Sequence, residues 1–146
     1  MIKSFRGKIA NDTEERIRLS TNNGLTGYRI TKFQIISEDP NDATIKFVTK
    51  VSKSSVGSTA INDAVDFSDP NLLAVGSYNE APGGQDQAGY GLIIFDNMVF
   101  NQDIFITHLD AGAENKAANY YLELEQMKLD LGEATVATLK DMRGRE

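Results

Sequence analysis

The chain has 146 residues, a net charge of −6 and no cysteine. That length suits one domain, and a chain of this size buries roughly 68–70% of its unfolded surface, so it needs no staple. The missing cysteines exclude disulfides, thiolate metal sites and a cysteine nucleophile.

The charge is segregated. Residues 1–56 hold ten Lys/Arg and six Asp/Glu, residues 57–115 hold nine Asp/Glu and no Lys or Arg, and residues 116–146 are nearly balanced. Two readings stand: a dipolar surface without a purpose, or a basic patch on one copy that meets an acidic patch on a neighbour, which helps register and encounter. The overall sign argues against binding of a phosphate backbone by the whole domain. The start, Met1-Ile2-Lys3-Ser4-Phe5-Arg6, has no apolar h-region, so no secretory signal is expected. No apolar run approaches the length of a membrane span. The expected site of synthesis is a cytosol, with use there or inside an assembly.

Residues 2–8 form the first candidate strand, followed by a turn at Asn11-Asp12. In residues 15–20, Ile17 and Leu19 alternate with Arg16, Arg18 and Ser20, the period of a strand with one wet face. Asn22-Asn23-Gly24 is a strong turn cue. In residues 28–37, strict alternation puts Tyr28, Ile30, Lys32, Gln34 and Ile36 on one face and Thr31, Phe33 and Ile35 on the other. Residues 38–42 read as a turn. Residues 44–51 put Ile45, Phe47, Thr49 and Val51 on one face, and the pair 28–37 and 44–51 reads as a β-hairpin.

Residues 52–70 are rich in Ser, Asp and Gly, a long connection with room for a helical turn at 60–65. Residues 72–78 read as a buried strand. Residues 80–91 contain Pro82-Gly83-Gly84 and read as an exposed loop. Two apolar strands, 92–95 and 103–109, follow. In residues 119–128, Leu122 and Leu124 alternate with Glu123 and Glu125, and the neighbouring Tyr120-Tyr121 favours a strand over a helix. A helix follows. Asp130 has the place of its N-cap, Glu133 has capping-box spacing, and Ala134, Val136, Ala137, Leu139 and Met142 give it an apolar side. Lys140, Arg143 and Arg145 suit the negative end of its dipole, and Gly144 is placed to end it. The expected fold is mainly β: an antiparallel β-sandwich or jelly-roll-like domain over residues 1–129, with a C-terminal helix and tail at 130–146 in the same unit.

Little of the sequence carries chemistry. His108 is the only histidine, and without a second histidine or a cysteine it reads as a packed strand residue. No Gly-x-Ser-x-Gly elbow accompanies it. Asp63, Asp66 and Asp69 recur every three residues; turn and cap chemistry accounts for them, and a weak divalent-cation site is the alternative. Gly83, Gly84, Gly89 and Gly91 match no phosphate loop. The aromatics Tyr28, Phe33, Phe47, Phe95, Phe100, Phe105, Tyr120 and Tyr121 occupy strand phases and read as core. No catalytic residue and no cofactor is expected.

Three segments carry a resemblance. They are Gly24-Leu25-Thr26-Gly27-Tyr28-Arg29-Ile30-Thr31-Lys32-Phe33-Gln34-Ile35, then Val65-Asp66-Phe67-Ser68-Asp69-Pro70-Asn71-Leu72-Leu73-Ala74, and the C-terminal runs 119–129 and 133–143. Together they resemble small virion proteins of marine tailed phages. The resemblance implies a non-enzymatic structural component of the particle, such as a capsid decoration (cement) subunit that joins major capsid or other virion proteins and its own copies. From the charge and the lack of an apolar span, no nucleic acid or membrane partner is expected. The terminal helix is then the expected interface, through Leu131, Val136, Leu139, Lys140, Met142, Arg143 and Arg145. The alternatives are a neck or tail component, and a carbohydrate- or host-surface-binding sandwich using the loop at 80–91.

Overall fold

The structure is a computed structural model that describes residues 1–39, 45–57, 59–79, 89–95, 98–112 and 115–143. Among these residues the chain forms eight strands and one helix: β1 (Ile2–Ile9), β2 (Thr13–Ile17), β3 (Thr26–Ser37), β4 (Lys46–Ser52), β5 (Leu72–Asn79), β6 (Gly89–Ile94), β7 (Ile104–Asp110), β8 (Ala118–Lys128) and α1 (Leu131–Arg143). All strand pairs are antiparallel, in a three-stranded sheet β1-β8-β3 and a five-stranded sheet β2-β7-β4-β5-β6.

The pairing is nested: β1 with β8, β2 with β7, β4 with β5. A chain folded back on itself as one ribbon and then wound around a core gives this order, which is that of a jelly roll. β6 stays on the edge of β5 while lying against β3 across the core. The mainly β, antiparallel sandwich with a C-terminal helix is thus the fold the sequence implied.

The expected hairpin of 28–37 with 44–51 does not form. Among the described strands β3 pairs with β8, apart from an isolated bridge between Tyr28 and Phe100, whereas β4 pairs with β5 and β7 in the other sheet. Each strand has one strongly apolar face, and facing each other across the core buries both faces at once. Phe33 and Ile35 from β3 and Phe47 and Val51 from β4 belong to the same buried cluster.

The phase of β3 also differs from strict alternation. The register with β8 shifts between Ile30 and Lys32, a bulge at Thr31. One extra residue reverses the phase. Tyr28 and Ile30 before the bulge and Phe33, Ile35 and Ser37 after it all face the core, while Lys32, Gln34 and Ile36 stand exposed. β2 ends earlier than alternation suggested. The amides of Leu19 and Ser20 donate to Asp103 Oδ1 at 2.7 and 2.8 Å, so this carboxylate replaces ladder partners beyond Ile17. No helical turn forms at 60–65. Gly89–Gly91, expected in a loop, begin β6; the rest of the expected loop, residues 80–88, lies outside the described residues.

The two sheets meet closely. A Cβ at Gly76 of β5 would lie 2.5 Å from Ile35 Cδ1, so glycine lets the sheets approach there. Tyr120 of β8 crosses to the other sheet, its hydroxyl donating to Glu15 Oε2 at 3.1 Å. Burial, and then the Glu15 charge and hydrogen bond, push the phenol up to about 12. One end of the sandwich is closed by α1, against Leu25, Val99, Met127 and Leu129. The other is tied by Asp110, whose Oδ1 accepts from Gly112 N and Oδ2 from Lys116 N, both at 2.8 Å.

Candidate functional site

Helix α1 starts as its sequence requires. Asp130 Oδ1 accepts the Glu133 amide at 2.7 Å and Asp130 O accepts the Ala134 amide at 2.8 Å, which satisfies two of the first-turn donors. What faces the sandwich is small or polar: Ala134, Ala137, Thr138 and Asp141. Asn101, wholly buried in the segment before β7, holds this face. Its Nδ2 donates to Thr138 Oγ1 at 2.7 Å, Gly24 O at 3.0 Å and Ala134 O at 3.3 Å. Asp141 Oδ2 accepts the Asn101 amide at 2.9 Å, and its Oδ1 lies 3.4 Å from Lys53 Nζ. Gly24 turns the chain into this seam with φ of 66°, a left-handed conformation that costs glycine little.

The apolar side expected of this helix is therefore divided. Ala134 and Ala137 turn inward, while Leu131, Val136 and Leu139 are 76, 53 and 52% exposed. Lys140 is exposed beside them. A groove of about 460 Å³ runs along one flank, between Val136, Ala137 and Lys140 of α1 and Val99, Met127 and Leu129 of the body. A smaller one of about 220 Å³ runs along the other, lined by Leu131, Leu139 and Asn23. The structure thus brings four of the expected interface residues to one outer surface. Met142 and Arg143 end the helix with side chains outside the description, and Arg145 and Gly144 lie outside the described residues.

His108 is wholly buried on β7, edge-on to Phe47 at 5.1 Å. Its Nε2 lies 2.9 Å from Lys116 O, which can only accept, so Nε2 carries the proton. Its Nδ1 then accepts from Thr49 Oγ1 at 2.9 Å. Burial holds the imidazole below its ordinary pKa, against the Lys116 carbonyl and the nearby Asp110 and Glu38 charges. With both nitrogens committed inside the core, this histidine has no free atom for a substrate or metal.

The three aspartates do not converge. Asp66 Oδ1 accepts Ser68 N at 2.9 Å and Ser68 Oγ at 2.5 Å, and Asp69 Oδ1 accepts Asn71 N at 2.9 Å. These are turns closed by side chains. Asp63 is exposed and close enough to Lys50 to act on it electrostatically. No group of three His, Cys, Asp or Glu that could hold a metal ion is found among the described residues. Of the expected core aromatics, Tyr28, Phe33, Phe47, Phe100, Phe105 and Tyr120 are buried, while Phe95 and Tyr121 are half-buried.

Sequence reasoning missed two features. One is the Asn101–Asp141–Lys53 seam, whose paired residues lie 40 and 88 positions apart and show no local pattern. The other is Asp103, almost wholly buried and bound by Leu19, Ser20 and Arg16, with Arg16 Nε at 2.6 Å. Burial pushes this carboxyl up, but the Ser20 and Leu19 amides and the Arg16 guanidinium outweigh it and hold the pKa at about 2. The only signal for either was an Asn or Asp just before an apolar strand. Among the described residues no helix is long and apolar enough to cross a membrane. No family model, curated protein or solved structure matches the chain.

Proposed function

We propose that this chain is a non-enzymatic assembly protein, a virion structural subunit of the capsid-decoration kind that docks through the outer face of α1. One observation carries the reading. The helix is held to the body by small and polar residues, yet turns Leu131, Val136 and Leu139, its larger described apolar side chains, to the outside. Covering these side chains is worth on the order of 1 kcal/mol apiece, since they are already partly shielded. Many copies on a symmetric shell make such modest contacts add up. A subunit that bridges neighbours stabilises the shell by mass action.

Two further points support it. The nested strand order is shared by capsid domains, though also by lectins and cupins, so it counts as analogy. The resemblance of the three segments points the same way. The partners in this reading are the major capsid protein or another virion protein, and copies of the chain itself. Nucleic acid, membrane and cofactors have no part in it.

Quantitative mass spectrometry of purified particles, against the major capsid protein, tests the reading. Near-stoichiometric abundance fits a decoration subunit. A small fraction of that abundance would move the chain to a neck or tail.

A further inference from the structure

The exposed large apolar side chains of the described residues fall into three groups. One is on α1. The other two lie on opposite outer faces of the sandwich, and the balance of charge beside them has opposite sign.

The outer face of the three-stranded sheet has exposed Ile2 and Ile36. Arg29 and Lys32 stand opposite Glu125 and Glu123 of the central strand, and Arg6 and Lys8 stand opposite Tyr121 and Asn119. Lys8 pairs with Glu38 at 3.1 Å, and Arg29 pairs with Glu125. Arg6, Lys32 and Glu123, which stands opposite Lys32, have no ion pair among the described residues, so the cations outnumber the carboxylates here. A groove of about 480 Å³ opens here between Arg6, Lys8, Gln34, Ile36, Asn119 and Tyr121.

On the far side, the connection from β4 to β5 lies over the outer face of the five-stranded sheet. Lys50 Nζ on that face donates to Ala64 O at 2.8 Å, and Glu14 Oε2 accepts the Val56 amide at 2.9 Å. Val56, Val65, Phe67 and Ile93 are exposed there. Asp63, Asp66 and Asp69 stand among them without an ion pair. Asp63 and Asp69 are close enough to Lys50 to act on its charge. Lys46 stands four residues away along β4, and Arg16 is engaged by Asp103.

We propose that the partner of each of these faces is a second copy of this chain, the basic face of one copy seating on Val56, Asp63, Val65, Asp66, Phe67 and Asp69 of the next. The inference rests on the assembly reading and names one of its partners. Opposite charges on opposite faces select the geometry. A two-fold contact using either face would set like charge on like, whereas a head-to-tail contact pairs Arg6 and Lys32 with Asp63, Asp66 and Asp69. The apolar residues on both faces supply the area, and the charges set the register. A head-to-tail contact repeats, giving a ring where the rotation closes and a row where it does not. α1 closes an end of the sandwich rather than a face, so it stays free for a different partner.

Sedimentation velocity on the full chain tests this, with a charge-swap pair of variants. One carries Arg6→Glu and Lys32→Glu, the other Asp63→Lys and Asp66→Lys; matching melting temperatures establish that both fold. The wild type self-associates at low salt and weakens about tenfold at high salt. Each variant alone stays monomeric, because its two faces then have the same sign. Mixing the two restores association. A wild type that stays monomeric at low salt, association untouched by the reversals, or a mixture that remains monomeric overturns the proposal. None of these results bears on particle abundance, so the contact and the virion reading fail separately.

Discussion

Asp141 of α1 and Lys53, just beyond β4, form an ion pair at 3.4 Å whose side chains are 1 and 9% exposed. This pair joins the last turn of the helix to the five-stranded sheet, and the same carboxylate holds the Asn101 amide. Removing one partner strands a buried charge, which costs about 3–5 kcal/mol, whereas removing both with apolar residues of similar size is often neutral. Asp141→Ala therefore destabilises by about 3 kcal/mol or more. On an Asp141→Asn background, which keeps the Asn101 bond, Lys53→Met costs less than it does on the wild type. Urea titrations of the four proteins of this cycle measure the coupling, and strict additivity would mean that the pair contributes nothing.

Acid weakens the protein in two separate windows. His108 is neutral and held below the ordinary imidazole value by burial. The unfolded chain thus takes up a proton at about pH 6.5 before the folded chain does. Stability from this group is full above about pH 6.5 and falls as pH drops toward the folded pKa. Asp103 acts lower, because its folded pKa is about 2 against 3.8. It contributes roughly 2 kcal/mol that is full above about pH 4 and lost as pH falls through 2. Chemical denaturation from pH 7 to 4 reads the first window. His108→Gln, which keeps an amide donor and acceptor, flattens it, and an unchanged slope in that variant would assign the loss to other groups.

The contact of Gly76 with Ile35 predicts a local limit on packing. Ile35 Cδ1 is the end of a flexible side chain, so Gly76→Ala is accommodated at a cost of about 1–2 kcal/mol. Gly76→Val costs more. Pairing Gly76→Ala with Ile35→Val returns part of the loss, measured as the shift in denaturation midpoint.

The fold was readable in the sequence where a signal was local. Alternation marked β8 through Leu122 and Leu124, and the cap residues Asp130 and Glu133 marked the start of α1. The bulge at Thr31 was not readable, because it changes no residue type and only resets the phase of those after it. The split of β3 and β4 between sheets was hidden for a related reason. An apolar face shows that a strand needs cover, not which strand supplies it. For the interface, sequence showed that the helix had apolar residues. Only packing decides that the alanines turn in and Leu131, Val136 and Leu139 turn out.

That division predicts stability and docking to be separable. Leu131→Asp and Leu139→Asp change exposed positions and alter folding stability by about 0.5 kcal/mol or less each. Asn101→Ala, in contrast, loosens the helix by removing every bond of its Nδ2 and is expected to lower the melting temperature by several degrees.

The most direct test of the assembly role combines these points. Particles are grown with the wild-type chain or with the Leu131→Asp/Leu139→Asp variant, purified, and the chain is counted against the major capsid protein. Docking through α1 predicts abundant wild type and a variant that folds normally but is lost from the particle. A variant incorporated at the wild-type level would contradict docking through α1, and a wild type missing from the particle would contradict the virion role itself.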